Sequence, residues 1–451
     1  MNELRDRWNK RSIFLLLWPL VIEQILNVSI GLVDTIMVAS VGEHAISGVA
    51  LVDAIATLFI FAFGALSTGG SVVVSQYLGR NDTKNASAAA KQLIYVCSIL
   101  SFAMMLLALI FRNILLRKIY GNIGPDVMAA AQTYFFFSAL SYPALALYNA
   151  AAALFRSMGN SRITMKISLL KNIIHVILNL AFIYGLRLGV AGVALSTLVT
   201  RIFGAALLLY LLIKGKKRLI TINDLNIIKF EPAIIWSILR IGIPSGIEHS
   251  LFQFGKIAVS RIATNFGTAA IAANSVTGSV NSLVLMPGNA ISMVMLVIIS
   301  QCVGAGDYTN AKYYVKKFLI LTHIVMFAAA AINYIFVNQL VGLYKLGPEA
   351  HALTVSFLRF LCFMIVIAWP TSFSLPSALR AAGDAKYIMV VAIISMWIIR
   401  VFGAYVFSMK WGAGPIGIWY AWTLDWVLRS VCFIHRWRSG KWQENRILPT
   451  A

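Results

Sequence analysis

Charged residues are scarce in this chain of 451 residues. They make up 12% of it, about half of the roughly 25% that is typical of soluble globular domains. Such a chain lacks the polar surface that would face water on all sides, which excludes an ordinary soluble enzyme or binding module, a coiled coil and a disordered chain. Cysteine is scarce too. The four cysteines lie far apart, and this excludes a disulfide scaffold and a CxxC metal site.

Motifs for nucleotide binding and catalysis are also missing. The sequence has no GxxxxGK[ST], no GxGxxG after a strand, no HExxH and no paired DxD or DxxD. We therefore predict that the protein is not an enzyme, that it uses no cofactor and that it is not driven by ATP. An ion gradient, of H⁺ or Na⁺, is the expected source of energy.

Apolar residues are abundant, at 60% of the chain with a mean hydropathy of +0.81. Because a helix needs about 20 apolar residues to cross a bilayer, the apolar runs predict an all-α polytopic membrane protein with twelve transmembrane helices. The predicted spans are 13–40, 46–74, 90–111, 128–155, 163–185, 189–213, 235–263, 269–300, 314–340, 352–379, 387–409 and 414–435.

Basic residues outnumber acidic ones by 38 to 16, a net charge of +22. With the N-terminus inside, the cytoplasmic segments hold 24 of these bases and the outer loops hold 6. This positive-inside bias predicts a multi-pass protein of the inner (plasma) membrane with both termini in the cytoplasm. Charges spread over short loops indicate contact with lipid headgroups and not with nucleic acid.

The chain repeats itself at an offset of about 225 residues. The strongest window is SQxxGxxDxxNA, which begins at Ser75 and again at Ser300. Because each copy contains an even number of spans, both copies enter the membrane in the same direction. The repeat is therefore parallel, as in transporters built from two lobes. Two six-helix lobes are predicted, and the domains are an N-lobe at 1–213, a cytoplasmic linker at 214–233, a C-lobe at 234–435 and a cytoplasmic tail at 436–451. Other matched positions are Pro19 with Pro244, Glu23 with Glu248, and the RxxG motifs at Arg156 and Arg380.

Five acidic residues fall inside the predicted spans, where an ionisable group needs a partner, a proton or a cavity. Asp34 is replaced by Val259 in the second copy, and this asymmetry favours a functional role. Glu23 and Glu248 recur, so they are candidates for a structural role as well as for substrate binding or secondary coupling. Lys256 is a further candidate for substrate binding, because it lies two helical turns after Glu248 and could border a cavity with it. Asp425 and Arg429 are spaced i, i+4 on one helix face, and we interpret them as a structural pair.

The chain resembles the multidrug and toxic compound extrusion (MATE) family of secondary transporters from about residue 13 to 442. The resemblance rests on Pro19 with Asp34 fifteen residues on, followed by TIMVASVG, on the two SQxxG copies, on RSMGN and RAAGD, and on the C-terminal stretch that begins GIWYAWTLDW. It implies two lobes that alternate between outward-open and inward-open states and export organic cations in exchange for Na⁺ or H⁺.

The resemblance also implies an ion-coupling site in the N-lobe, formed by Asp34, His175, Asn179 and Thr197. A histidine replaces the family's asparagine at position 175, which removes an oxygen ligand for Na⁺ and adds a group that titrates near neutral pH. We therefore favour H⁺, with Na⁺ at Asp34, Asn179 and Thr197 as the alternative. Some members carry an acidic residue where this chain has Phe252.

The resulting prediction is an antiporter that exports small amphipathic, cationic organic compounds by alternating access. A membrane-embedded enzyme is disfavoured because the five acids are scattered over four of the predicted spans, with no catalytic pairing. The alternative is a flippase for a lipid-linked or other anionic amphiphile, which the bases inside the spans would suit. The expected partners are membrane lipids and a small organic substrate, and we expect a monomer.

Overall fold

The computed structural model describes residues 7–121, 123–215, 219–222 and 229–448. The described part is helical and contains no strand. It therefore has the all-α architecture that the sequence predicts. The α-helices are α1 (Lys10–Ala39), α2 (Glu43–Gly79), α3 (Thr83–Ile110), α4 (Arg112–Tyr120), α5 (Pro125–Leu140), α6 (Tyr142–Ser157), α7 (Ser161–Asn179), α8 (Gly189–Lys214), α9 (Pro232–Ala263), α10 (Gly267–Gly304), α11 (Tyr308–Ile335), α12 (Val337–Gly342), α13 (Pro348–Ile367), α14 (Leu375–Ala381), α15 (Ala385–Ile394), α16 (Gly403–Tyr405) and α17 (Gly417–Arg438).

Nine helical stretches within the described ranges are long and apolar enough to cross a membrane. One of them joins α9 and α10, so it covers two of the predicted spans. The fourth predicted span is broken at Ser141 into α5 and α6, each of 16 residues. Each of the twelve predicted spans overlaps helical residues, but the number of crossings stays a prediction.

The second half of the repeated window, DxxNA, lies at the start of a helix in both copies, α3 and α11. Asp82 Oδ1 accepts a hydrogen bond from the Asn85 backbone N–H at 3.0 Å, and Asp307 Oδ1 accepts one from Asn310 at 2.9 Å. In each copy the asparagine side chain also donates to the second carboxylate oxygen at 2.6 Å. An aspartate at this position satisfies backbone donors at the helix start, which explains why DxxNA recurs.

Several helices contain π-helical segments, which widen the helix by one residue and often occur at functional sites. One of them, Leu180–Gly185, follows Asn179 directly at the end of α7. Another, Ser395–Phe402, contains Arg400. A proline also lies inside each of α1, α9 and α10, at Pro19, Pro244 and Pro287. The remaining π-helical segments are Pro370–Ser374 and Val406–Lys410.

The chain divides into two compact units. We call Lys10–Gly246 with Leu448–Ala451 the N-unit, and Ile247–Ile447 with Met1–Asn9 the C-unit. The division falls inside α9 because the first half of this helix packs on α2. The two helices approach closely there, since a Cβ added at Gly69 of α2 would lie 2.5 Å from the carbonyl oxygen of Ile238 in α9. Parts of the predicted linker (216–218 and 223–228) and of the predicted tail (449–451) lie outside the described residues, and the predicted domain boundaries stay predictions.

Aromatic side chains dominate the core of the C-unit. Trp369, Trp419 and Trp426 are each 1% exposed and pack with Phe357 and Met326 in one cluster. The N-unit instead packs small residues closely, as in the buried run Ala150–Ala153 of α6. Small residues let helix backbones approach each other in a membrane, so the two units are built with different side chains on a repeated helical framework.

Candidate functional site

Asp34 of α1 lies at the centre of a polar cluster in the N-unit. Its Oδ1 is 2.7 Å from His175 Nε2, and Asn179 Nδ2 donates to the same oxygen at 3.0 Å. His175 and Asn179 are 5% and 0% exposed, whereas the Asp34 side chain is 32% exposed. The structure therefore brings together three of the four predicted coupling residues, with the carboxylate on the accessible side.

Thr200 completes this cluster on α8. Its Oγ1 lies 3.3 Å from His175 Nδ1 and donates to the Ser196 carbonyl oxygen at 2.5 Å. The hydroxyl of Thr197, the predicted fourth residue, donates to the Val193 carbonyl oxygen. Because residues three apart share a helix face, both threonines present the same side of α8. The sequence could have indicated Thr200 by this spacing.

Asp53, to which the sequence assigned no role, also belongs to the polar interior of the N-unit. Tyr134 donates to Asp53 Oδ1 at 3.3 Å, and the charges of Asp34 and Arg201 act on this carboxylate. Arg201 itself donates to Ser141 Oγ at 2.7 Å, at the break between α5 and α6. This polar interior therefore holds two accessible carboxylates, at Asp34 and Asp53.

The two repeated glutamates form equivalent ion pairs with the two repeated arginines. In the N-unit, Glu23 Oε1 is 3.6 Å from Arg156 Nη1, and Thr164 donates to Glu23 Oε2 at 2.9 Å. In the C-unit, Arg380 Nη2 donates to Glu248 Oε2 at 2.7 Å. Each pair links the helix after a proline to the RxxG motif. This symmetry supports a structural role for both glutamates, beside their predicted role in binding or coupling.

Asp425 and Arg429 form the predicted pair, with Arg429 Nε 3.1 Å from Asp425 Oδ1. The structure adds two partners from the π-helical segment, because Arg400 also pairs with Asp425 and Ser395 donates to it. Asp425 and Arg400 are both 0% exposed. One buried carboxylate therefore lies between two guanidinium groups. This arrangement holds α17 to the π-helical segment Ser395–Phe402.

A cavity of about 780 Å³ lies within the C-unit. Lys256, a predicted substrate residue, lines it, whereas Glu248 does not. The size is within the usual range of pockets for organic ligands. The rest of the wall consists of aromatic, amide, hydroxyl and aliphatic side chains, including Phe252, Trp369, Trp422, Asn274 and Asn281.

Among the residues that the structure describes, no group of three or more histidine, cysteine, aspartate or glutamate side chains could hold a metal ion.

The chain is similar to known proteins both in sequence and in structure. The MatE family model matches residues 19–181 and again 244–406, two segments of equal length that start 225 residues apart. The chain is 29% identical to the uncharacterized transporter YisQ of Bacillus subtilis, over 96% of this chain and 94% of the relative. It is 24% identical to the probable multidrug resistance protein NorM of Thermotoga maritima, over 97% and 94%.

Solved structures show the same fold. A multidrug resistance MATE family transporter in an outward-facing conformation superimposes with a TM-score of 0.91 at 19% identity, over 99% of both chains. A MOP superfamily transporter from Pyrococcus furiosus gives a TM-score of 0.90 at 19% identity, again over 99% of both. The repeated family match also confirms the internal repeat that the sequence predicts. The chain belongs to the MatE family.

Proposed function

We propose that the protein is a proton-coupled exporter of small amphipathic organic compounds, and that Asp34, His175, Asn179 and Thr200 form its coupling site. The observation that carries this proposal is the 2.7 Å contact between Asp34 Oδ1 and His175 Nε2. The contact joins α1 to α7, and its carboxylate is accessible. A proton that binds there changes the attraction between two helices.

The hydrogen bonds around His175 determine where that proton lies. Thr200 donates its hydroxyl proton to Ser196, so its oxygen accepts from His175 Nδ1–H. Nε2 then faces the carboxylate, and Asn179 Nδ2 lies 3.2 Å from Nε2 and 3.0 Å from Asp34 Oδ1. The 2.7 Å contact needs one proton between Nε2 and Oδ1, because two lone pairs at that distance repel each other.

Loss of this proton therefore favours separation of Asp34 from His175. A coupled ion must bind two conformations with different affinity in order to drive transport. The protonated cluster holds α1 against α7, and the deprotonated cluster releases it. Proton binding on one side of the membrane and release on the other then biases the protein between two states.

The same geometry supports H⁺ over Na⁺ as the coupling ion. Na⁺ prefers oxygen ligands, as hard cations do, but the nearest neighbours of Asp34 Oδ1 are an imidazole nitrogen and an amide nitrogen. Asn179 Oδ1 is buried and has no hydrogen-bond partner among the described residues. It becomes a Na⁺ ligand beside Asp34 only if the amide turns over and the imidazole moves away.

The relatives support export of organic compounds, since several are named as probable multidrug resistance proteins. Their names do not favour a lipid flippase. Membrane-spanning helices and bacterial relatives support a multi-pass protein of the inner membrane. Both termini in the cytoplasm and a monomeric state belong to this proposal as expectations from the sequence. The sequence also predicts a cationic substrate, and the two dyes of opposite charge in the assay below test that expectation.

Efflux from proteoliposomes tests the coupling. Vesicles are loaded with ethidium or, separately, with an aromatic carboxylate dye, and a pH gradient or a Na⁺ gradient is imposed alone. We expect the pH gradient to drive efflux of at least one dye, and Asp34→Asn and His175→Gln to reduce that rate at least tenfold. Asp126→Asn is the matched control, because Asp126 is an exposed acid in the first turn of α5.

Drive by Na⁺ alone, with no response to the pH gradient, would show that the proton assignment is wrong. Unchanged efflux in Asp34→Asn would remove the coupling site from this cluster. If neither gradient moved either dye, the exporter proposal itself would be refuted.

A further inference from the structure

The cavity of the C-unit has one charged group on its wall, and that group is a cation. Lys256 is the charged residue among the lining side chains, which otherwise carry rings, amides, hydroxyls and aliphatic groups. No carboxylate of the described residues lines the cavity. At the position that corresponds to Asp34 in the repeat stands Val259, which lines the cavity and is 2% exposed.

The carboxylates near this cavity are already paired with arginines. Asp425 is held by Arg400 and Arg429, and Glu248 by Arg380. Among the residues that the structure describes, Lys256 forms no ion pair. Because these carboxylates are bound by arginines and Lys256 has no ion-pair partner of its own in the described residues, its ammonium group can attract an anion.

Further positive charge lies behind the aromatic wall. Three cationic groups lie close to the ring of Phe252. The distances to the ring centroid are 5.3 Å from Lys256 Nζ, 4.7 Å from Arg400 Cζ and 5.2 Å from Arg429 Cζ. Arg400 also lies 4.4 Å from the ring centroid of Trp422. Three cations thus surround one ring of the wall, and the single carboxylate Asp425 offsets part of their charge. This excess of cations favours a positive potential in the cavity.

The wall also carries hydrogen-bond donors without partners. Trp419 and Trp426 line the cavity and are each 1% exposed, and their Nε1 atoms have no partner in the described part of the chain. A buried donor without a partner costs about 1–3 kcal/mol. An acceptor on a bound molecule, such as a carboxylate oxygen, would satisfy a donor of this kind.

We propose that this cavity binds an aromatic organic anion, with a carboxylate at Lys256 and the aromatic body among the tryptophan and phenylalanine rings. The volume of about 780 Å³ accommodates a drug-sized molecule. The ring faces supply stacking surface, and the lysine supplies the charge that selects an anion over a cation. This inference rests on the proposed export of organic compounds and names a class of substrate for it.

Calorimetric titration of the purified full-length protein in detergent tests this site with three ligands of one shape. They are 1-naphthylacetate, its neutral amide 1-naphthylacetamide, and the cation 2-(1-naphthyl)ethylammonium. We expect the wild type to bind the carboxylate at least tenfold more tightly than the amide, and the cation more weakly than either. A charge-assisted hydrogen bond of the usual strength gives a factor of this size.

Variants at Lys256 identify the site. Lys256→Met should lower the affinity for the carboxylate about tenfold and leave that for the amide within about twofold, whereas Lys256→Arg should keep the preference for the anion. Lys317→Met is the matched control, because Lys317 Nζ also lies over an aromatic ring, 5.8 Å from the centroid of Tyr313, but does not line the cavity.

Equal affinity for the three ligands, or tighter binding of the cation, would overturn the proposal on the wild type alone, whether or not the variants fold. An anion preference that survives Lys256→Met would also overturn it, since the charge would then act elsewhere. The titration needs no ion gradient. Anion binding with no gradient-driven efflux would leave the site in place and refute the exporter.

Discussion

The two matched ion pairs should contribute unequally to stability, although they occupy equivalent positions in the repeat. Glu248 and Arg380 are 2.7 Å apart with both side chains 11% exposed, whereas Glu23 and Arg156 are 3.6 Å apart. Removal of one partner of a buried ion pair costs roughly 3–5 kcal/mol, because the remaining charge is left buried without compensation.

We expect Arg380→Met to cost about that much and Arg156→Met to cost about 1–2 kcal/mol. The smaller cost follows because Glu23 keeps the hydrogen bond from Thr164 at 2.9 Å, a bond to a charged group being worth about 1.5–3 kcal/mol. For units of about 200 residues each kcal/mol shifts Tm by roughly 2–4 °C. Arg380→Met should therefore lower Tm by about 10 °C and Arg156→Met by about 4 °C.

Thermal unfolding followed by intrinsic fluorescence, in one detergent for all variants, measures both shifts. The double variant Glu248→Gln with Arg380→Met should be less destabilised than the two single variants combined, because partners that are lost together leave no buried charge. An Arg156→Met variant that lost as much stability as Arg380→Met would refute the reasoning from distance and from the threonine.

Two further predictions concern stability and use the same unfolding assay. Asp82→Ala and Asp307→Ala should each cost about 1 kcal/mol by loss of a helix N-cap, and their effects should add because the residues lie in different units; a double variant no worse than either single one would contradict this. Gly69→Ala should be destabilising by about 1–3 kcal/mol, because the new Cβ would lie 2.5 Å from the Ile238 carbonyl oxygen. Gly64→Ala on the same helix is its control and should be neutral or stabilising, since nothing lies within 4 Å of that site; equal effects of the two substitutions would contradict the close contact.

The sequence predicts the helices and the repeat well because both depend on local patterns. Apolar runs predict helices at a resolution of a few residues, and polar identities such as DxxNA reveal the repeat despite the shared apolar background. Asp34, His175 and Asn179 could be predicted together because of the resemblance and because i, i+4 residues share a helix face.

The sequence does not determine how one helix is placed along another. Thr197 and Thr200 share a face of α8, and the axial position of α8 against α7 decides that Thr200 contacts His175. The pairing of Arg400 with Asp425 likewise joins two elements whose register no sequence pattern gives. Nor could the lining of the C-unit cavity be predicted, because it comes from side chains on several helices.

The repeat explains why the two units carry different chemistry on one framework. Gly192 closely approaches the backbone of Phe182 in the N-unit. In the C-unit, Gly417 closely approaches the backbone of Phe407, and each of these two residues lies 225 positions after its counterpart. At the same offset, the contact of His175 with Thr200 in the N-unit corresponds to that of Arg400 with Asp425 in the C-unit.

The acidic residue of this cluster therefore occupies a different position in each unit. In the N-unit it lies on α1, at Asp34, with a 32% exposed side chain next to a titratable histidine. In the C-unit that position is Val259, and the acid lies on α17, at Asp425, fully buried between two arginines that stay charged. The carboxylate of Asp34 therefore meets solvent and an imidazole, whereas that of Asp425 meets two guanidinium groups. In the mechanism that we propose, these equivalent positions thus serve proton exchange in the N-unit and hold positive charge beside the cavity in the C-unit.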